Sequence, residues 1–289
     1  MTRMLRRAAL RAFAVMMPDR AADWFENALL RPRPAPPLDA PEPRAPSVEQ
    51  RFPYGWGWIS VRIWGESDKP AVLLLHGWGG TARSLGAFVD PLVARGYRVV
   101  TFDFPAHGAS HGERTNLIEC GGSVLMIGTA FAPLAGIITH SFGGPAAALA
   151  LSHGLDARRV VMFGPPVGMR EISFPVADRI GLPRAISERM FDRFATRLHF
   201  TWDEIGTDRM VAGLGAPLLV IHDERDELVP WSHGAAIARS APHGRLVTTT
   251  DLGHRSALVD DALVMQAVNF VVDGGQAMDS DTGSSRKRR

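Results

Sequence analysis

The chain has 289 residues, of which 46% are hydrophobic and 21% are charged. This balance excludes a wholly disordered protein, and the length allows one large α/β domain or two small ones. The net charge is only +2, and the surplus arginines lie near the two ends, so the body of the chain is slightly acidic. An acidic body argues against nucleic-acid binding. The single cysteine, Cys120, excludes an intrachain disulfide and a paired-cysteine metal site. It indicates a reducing, cytoplasmic compartment. Cys120 itself is expected to be a small, buried, apolar residue.

The segment 1–31 is predicted to form an amphipathic helix. At 100° per residue its apolar side chains share one face and its arginines another: Leu5, Ala9, Ala12, Phe13 and Met16 against Arg3, Arg6, Arg7 and Arg11. Such a helix either docks on the protein's own surface or makes a weak contact with a membrane surface, and a cleaved leader is a third alternative.

The next segment, 32–54, is predicted to be a Pro-rich linker. Residues 32–46 contain seven prolines, which lack an N–H donor and favour extended, semi-rigid chain. The tail 273–289 is predicted to be disordered, which leaves a domain at 55–272.

Strand and helix signals alternate through this domain. WISVRIW at 58–64 predicts an early antiparallel strand, and six short apolar runs predict buried strands at 71–76, 97–102, 134–139, 158–163, 217–222 and 245–250. Helical patterns fill the intervals 84–95, 116–131, 143–153, 231–240 and 256–272. The alternation predicts an α/β fold with a doubly wound, mostly parallel sheet. The interval 165–212 is too long for a single crossover and predicts a small helical cap.

Ligands of such a sheet bind at the carboxyl ends of its strands, so the residues after each strand carry the chemistry. Ser141 follows the run at 134–139 within THSFGG, which has the form of a nucleophile elbow, although Thr139 stands where a glycine is expected. A serine at a tight helix N-terminus is the alternative. The glycines of HGWGG at 76–80 allow this loop to direct a backbone N–H towards a substrate oxygen. The N–H of Phe142 can provide a second donor to the same oxygen. For Asp103 and His107, which follow the run at 97–102, a structural role is expected rather than metal binding.

An acid and a base follow the last two strands. Asp226 lies in IHDERDELVP just past a strand, with Asp223 as the alternative acid, and His254 follows the final strand in DLGH. The order Ser141, Asp226, His254 is that of the α/β-hydrolases.

Through HGWGG, DFPAHGAS, THSFGG, IHDERDELVP and DLGH, the sequence resembles the α/β-hydrolase superfamily over residues 55–272. In that family the second motif usually has glycine where this chain has Ala106. The resemblance implies Ser141 as nucleophile, His254 as general base, Asp226 as the acid that orients it, and the N–H groups of Trp78 and Phe142 as oxyanion-hole donors. It implies no metal and no organic cofactor.

The predicted function is hydrolysis of small-molecule carboxylic esters or thioesters through an acyl-enzyme. Acyl transfer by the same triad and non-catalytic ligand binding stay open as alternatives. The cap contributes apolar side chains that either pack it onto the sheet or form an acyl pocket for small-to-medium chains: Met169, Phe174, Met190, Phe191, Phe194, Phe200 and Trp202. The oligomeric state does not follow from the sequence.

Overall fold

A single eight-stranded sheet organises the protein. The computed structural model describes residues 3–36 and 38–273. The strands are β1 (Ser47–Tyr54), β2 (Gly57–Trp64), β3 (Ala71–Leu75), β4 (Arg98–Phe102), β5 (Leu134–His140), β6 (Val160–Phe163), β7 (Leu218–Asp223) and β8 (Gly244–Thr249), in the spatial order β1-β2-β4-β3-β5-β6-β7-β8. The pairs β1–β2 and β2–β4 are antiparallel and the other five are parallel. The predicted mostly parallel sheet is confirmed.

Helices cover both faces of the sheet and build the cap. They are α1 (Arg3–Met16), α2 (Pro18–Leu29), α3 (Val89–Ala94), α4 (Leu117–Ala130), α5 (Gly143–Ser152), α6 (Met169–Ile180), α7 (Arg184–Leu198), α8 (Thr207–Val211), α9 (Trp231–Ser240) and α10 (Asp261–Asp273), with 3₁₀ segments at Ala82–Phe88 and Ser256–Leu258. Helices α6, α7 and α8 lie in the interval 165–212. Within the described residues, no helix is long and apolar enough to cross a membrane.

The central strands are buried on both faces because each face has its own helical layer. All five residues of β3 are buried. Leu73 and Leu75 pack with α4 and α5, whereas Val72 and Leu74 pack with α3 and α10 on the opposite face. This two-sided burial explains why the strand sequences are continuously apolar rather than alternating. Cys120, on α4, is fully buried in the first of these layers.

The linker prediction for 32–54 is wrong over its last eight residues, which form β1. This strand is at the edge of the sheet and is mostly exposed. Its sequence therefore lacks the continuous apolar run by which a buried strand is predicted. Pro53 is tolerated there because only one side of an edge strand is paired. The preceding residues are also held on the body, since the N–H groups of Arg44 and Ala45 donate to the Asp90 carboxylate.

The N-terminal segment forms two helices rather than one, with the break at Met17. Of the predicted apolar face of α1, only Phe13 packs inward, beside Leu10 and the buried Ala14. Leu5 is 56% exposed and Met16 is 72% exposed. The small Ala14 allows α1 to approach the cap closely, and this contact determines which face of α1 is docked. The predicted tail lies outside the described residues except at 273, where α10 ends.

Candidate active site

Ser141 lies at the sharp turn between the end of β5 at His140 and the start of α5 at Gly143. Its backbone φ is 49°, a conformation that residues other than glycine seldom adopt. A Cβ at Gly143 would lie 2.7 Å from the Leu75 carbonyl oxygen, so only glycine allows α5 to begin this close to β3. The turn therefore has the geometry of a nucleophile elbow and raises Ser141 above the carboxyl end of the sheet.

Thr139, the departure from the usual elbow, is accommodated without opening the turn. Its side chain is fully buried, and the turn is still closed by the Gly144 N–H, which donates to the Ser141 carbonyl over 2.9 Å. The Thr139 hydroxyl has no hydrogen-bond partner among the described residues.

His254 and Asp226 meet at the same edge of the sheet. His254 donates Nδ1–H to Asp226 Oδ2 over 2.6 Å. The other carboxylate oxygen, Oδ1, accepts the N–H groups of Leu228 and Val229 at 2.9 and 2.8 Å. The Asp226 side chain is only 1% exposed and that of His254 is 8% exposed. Asp226 is therefore a buried, fully bonded carboxylate that fixes the tautomer and the orientation of the His254 ring.

The ionised form of Asp226 is strongly favoured. Burial acts to raise the pKa of this carboxyl, but the hydrogen bonds from His222, His254 and the Val229 N–H outweigh burial and hold the pKa well below its usual value. Asp226 is thus an anion at neutral pH, ready to stabilise a positively charged imidazole.

Asp223, the alternative acid, has a different role. Its carboxylate accepts hydrogen bonds from the Arg225 N–H, the Thr249 hydroxyl and the Leu252 N–H. These contacts join the turn after β7 to the loop after β8, and none of them involves His254. Asp223 therefore positions the two loops that carry Asp226 and His254.

The turn at Ser141 lies directly beside this pair. The Ser141 N–H donates to the Phe163 carbonyl over 2.8 Å. Gly164 directly follows β6, and a Cβ there would lie 3.3 Å from both the Asp226 carboxylate and the His254 ring. In the described part of the chain, Ser141 Oγ and His254 Nε2 form no hydrogen bond with each other or with any other group.

Two backbone N–H groups next to Ser141 have the character expected of oxyanion donors. Within residues 3–36 and 38–273, the N–H groups of Trp78 and Phe142 donate to no other protein atom. Their side chains pack against each other, with ring centroids 4.9 Å apart. The HGWGG loop and the elbow are thereby held together.

The DFPAHGAS segment braces the site rather than entering it. Asp103 accepts the N–H groups of Ala82 and Ala109 at 2.7 and 2.8 Å, which ties the segment to the loop after β3. His107 is buried and donates to the Pro105 carbonyl. Asp103 therefore has the structural role predicted for it. Across the described ranges, no group of three or more His, Cys, Asp or Glu side chains is arranged to hold a metal ion.

Three buried histidines surround the site, and burial lowers the pKa of each. The pKa is about 4 for His76, about 4 for His107 and about 3 for His140. These rings are neutral in the folded protein at neutral pH. Because the unfolded chain would protonate them near pH 6.5, they link stability to pH.

Two histidines without a role in the sequence-based prediction support the predicted triad residues. His140 donates Nε2–H to the His254 backbone carbonyl over 3.0 Å. His222 is fully buried, with Nε2 3.0 Å from the Val229 carbonyl oxygen and 3.3 Å from Asp226 Oδ2. Both lie inside quoted motifs, directly before Ser141 and at the end of β7, so their position was the signal that could have identified them.

An apolar chamber of about 200 Å³ adjoins the elbow. Trp78 and Phe142 form its floor, and the cap supplies most of the wall. The lining includes Met169, Met190, Phe191, Phe194, Phe200 and Trp202 of the predicted acyl pocket. Phe174 does not line it and packs instead on Phe191, with ring centroids 5.5 Å apart.

Comparison with known proteins gives short, strong similarities and longer, weaker ones. The chain is 39% identical over 67 residues to a serine hydrolase-like protein of Danio rerio, covering 23% of this chain and 20% of that protein, so it spans only a fifth of that relative. It is 25% identical over 235 residues to the uncharacterized protein YfhR of Escherichia coli O157:H7, covering 75% of each. The crystal structure of the esterase RhEst1 from Rhodococcus has a TM-score of 0.59 at 19% identity, covering 77% of this chain and 98% of that one.

The profile of the alpha/beta hydrolase family matches residues 72–267, which include β3 from its second residue, the strands β4 to β8, the cap and all three predicted triad residues. The fold, the elbow and the loop order agree with this match. The protein belongs to the alpha/beta hydrolase family.

Proposed function

We propose that the protein is a serine hydrolase that cleaves carboxylic esters or thioesters of small-to-medium acyl chains through an acyl-enzyme on Ser141. The observation that carries the proposal is the 2.6 Å contact between His254 Nδ1 and the buried Asp226 carboxylate, next to the strained turn at Ser141. A carboxylate bonded to Nδ1 leaves Nε2 as the basic nitrogen, which a serine hydroxyl needs in order to become nucleophilic.

The steps follow from these positions. Ser141 Oγ attacks the carbonyl carbon of the ester while His254 Nε2 accepts the hydroxyl proton, and Asp226 stabilises the resulting imidazolium. The N–H groups of Trp78 and Phe142 bind the oxyanion of the tetrahedral intermediate. The imidazolium then protonates the leaving alkoxide or thiolate, and the acyl-enzyme remains. Water, deprotonated by His254, attacks the acyl-enzyme and releases the carboxylic acid.

The apolar chamber supports an acyl substrate. Its lining includes Trp78 and Phe142, whose N–H groups would bind the carbonyl oxygen, so an acyl chain attached to that carbonyl would lie next to it. Its volume of about 200 Å³ is below the ~300–1,000 Å³ of pockets for drug-sized ligands, which favours a small-to-medium chain.

The test combines an active-site probe with turnover. Wild-type protein should be labelled by a fluorophosphonate probe and should hydrolyse p-nitrophenyl esters. Ser141→Ala should abolish labelling, and His254→Ala should lower kcat by roughly 10⁴–10⁶-fold. Ser152→Ala, which changes a serine at the other end of α5, is the matched control and should label normally. Undiminished labelling of Ser141→Ala would refute the nucleophile, and labelling without hydrolysis of any ester would refute ester cleavage.

A further inference from the structure

One wall of the apolar chamber comes from outside the hydrolase domain. Leu29 and Leu30, at the end of α2, line the chamber together with cap residues of α6 and α7. We propose that α2 is part of the acyl site and that Leu29 and Leu30 determine the longest acyl chain the enzyme accepts. This inference rests on the proposed esterase function, since it assigns the chamber to the acyl group.

The contact between α2 and the cap is extensive and apolar. Ala21, Ala22 and Phe25 on α2 are each at most 1% exposed. They share one packed cluster with Met190 and Phe191 of α7, and the last two also line the chamber. The helix is therefore packed into the same wall as the cap, so moving α2 would open the chamber.

A ladder of ion pairs follows the register between the two helices. Arg189 contacts Asp19 at 2.7 Å, Arg193 contacts Asp23 at 2.8 Å, and Arg197 contacts Glu26 at 2.6 Å. The arginines recur every four residues along α7 and the acids every three to four along α2, so each turn of one helix meets one turn of the other. This register places the end of α2, and with it Leu29 and Leu30, over the chamber.

The chain that follows α2 is fixed across the site itself. The Leu30 carbonyl accepts the Thr115 N–H at 2.9 Å, and the Ala35 N–H donates to the Gly79 carbonyl at 2.8 Å. Gly79 has a φ of 74°, and a Cβ there would collide with the Arg33 carbonyl oxygen. Farther on, Arg255 donates to the Pro36 carbonyl at 2.6 Å. The N-terminal segment is thus anchored to the HGWGG loop and to the residue after His254. These contacts and the packing of α2 on the cap together hold Leu29 and Leu30 in place.

The chemistry of the wall points to an uncharged acyl chain. The one acid at the chamber, Glu26, is only 8% exposed and is paired with Arg197. Each methylene buried in such a chamber is worth about fourfold in kcat/KM, until the chain meets the wall. Leu29 and Leu30 belong to that wall.

The test measures chain-length preference in full-length variants. The kcat/KM for p-nitrophenyl butyrate, hexanoate, octanoate and decanoate should pass through a maximum in the wild type. Leu29→Ala and Leu30→Ala should move the maximum to a longer ester, with a gain of about fourfold or more for that ester. Leu30→Trp should move it to a shorter one. General destabilisation cannot produce shifts in opposite directions.

Leu10→Ala is the matched control, because Leu10 belongs to the same packed cluster but does not line the chamber. It should leave the maximum unchanged. Equal shifts in Leu10→Ala and Leu30→Ala, or no shift in any variant, would overturn the inference.

A second measurement separates this inference from the proposed function. Calorimetric titration of Ser141→Ala with butyrate, hexanoate, octanoate and decanoate reports chain-length preference without turnover. If the wild type hydrolyses no ester, the proposed function fails. A shift to longer alkanoates on adding Leu30→Ala would still support α2 as the wall, and an unchanged preference would overturn it.

Discussion

Replacing Thr139 by valine should stabilise the protein, although the residue sits in the nucleophile elbow. The Thr139 side chain is fully buried, and its hydroxyl has no partner among the described residues. An unsatisfied buried polar group costs about 1–3 kcal/mol, and valine has nearly the same shape without that group. We therefore expect Thr139→Val to raise the free energy of unfolding by about 1–2 kcal/mol. This corresponds to a rise in Tm of roughly 2–6 °C for a chain of this size.

The matched control is Thr101→Val on β4. Thr101 is also fully buried, but its hydroxyl donates to the Leu74 carbonyl over 3.0 Å. Removing that satisfied hydrogen bond should cost about 1 kcal/mol, so the two substitutions should have opposite signs. Urea unfolding and differential scanning calorimetry of both variants measure the difference. A Thr139→Val variant destabilised as much as Thr101→Val would refute the reasoning, because the Thr139 hydroxyl would then have to be bonded in solution.

Three further predictions follow. Asp226→Asn should lower kcat by about 10⁴-fold with little change in KM, whereas Asp223→Asn should mainly lower the free energy of unfolding. Kinetics and urea unfolding of the two variants measure these effects. The reverse pattern would contradict the roles of the two carboxylates. The free energy of unfolding should fall as pH drops from about 6.5 towards 4, because histidines of the unfolded chain bind protons in this range while the buried histidines of the folded protein stay neutral. His107→Asn should reduce the slope of unfolding free energy against pH by about 1.4 kcal/mol per pH unit. An unchanged slope in denaturation at several pH values would refute this. We further propose that the exposed face of α1 makes a weak contact with a membrane surface. The protein should co-sediment with anionic vesicles, and a variant with Leu5→Asp and Met16→Asp should not. Equal binding of the two proteins would rule out this contact.

The parts of the site that follow buried strands could be predicted from the sequence. Ser141, Asp226 and His254 each come after an apolar run, and parallel strands bring their carboxyl ends to one edge of a sheet. The turn at Asp226 is also local, since its carboxylate accepts the N–H groups of Leu228 and Val229, two and three residues farther along the chain. Local signals of this kind survive in a single sequence.

The parts that depend on which surfaces meet could not be predicted. Helical periodicity shows that α1 and α2 have apolar faces, but it does not show that Leu29 and Leu30 reach the chamber. The face of α1 that docks differs from the face with the strongest pattern, because Ala14 rather than Leu5 makes the close contact. The strand β1 escaped prediction for a related reason, since an exposed edge strand is specified by its neighbour and not by its own burial.

The central claim is that Ser141 and His254 act as one proton-transferring unit, and a double-mutant cycle tests it most directly. The kcat for a p-nitrophenyl ester should be measured for Ser141→Ala, His254→Ala and the double variant. If the two residues act together, the double variant should be no slower than the slower single variant. Losses that multiply in the double variant would mean that the two residues act independently, which would contradict the account.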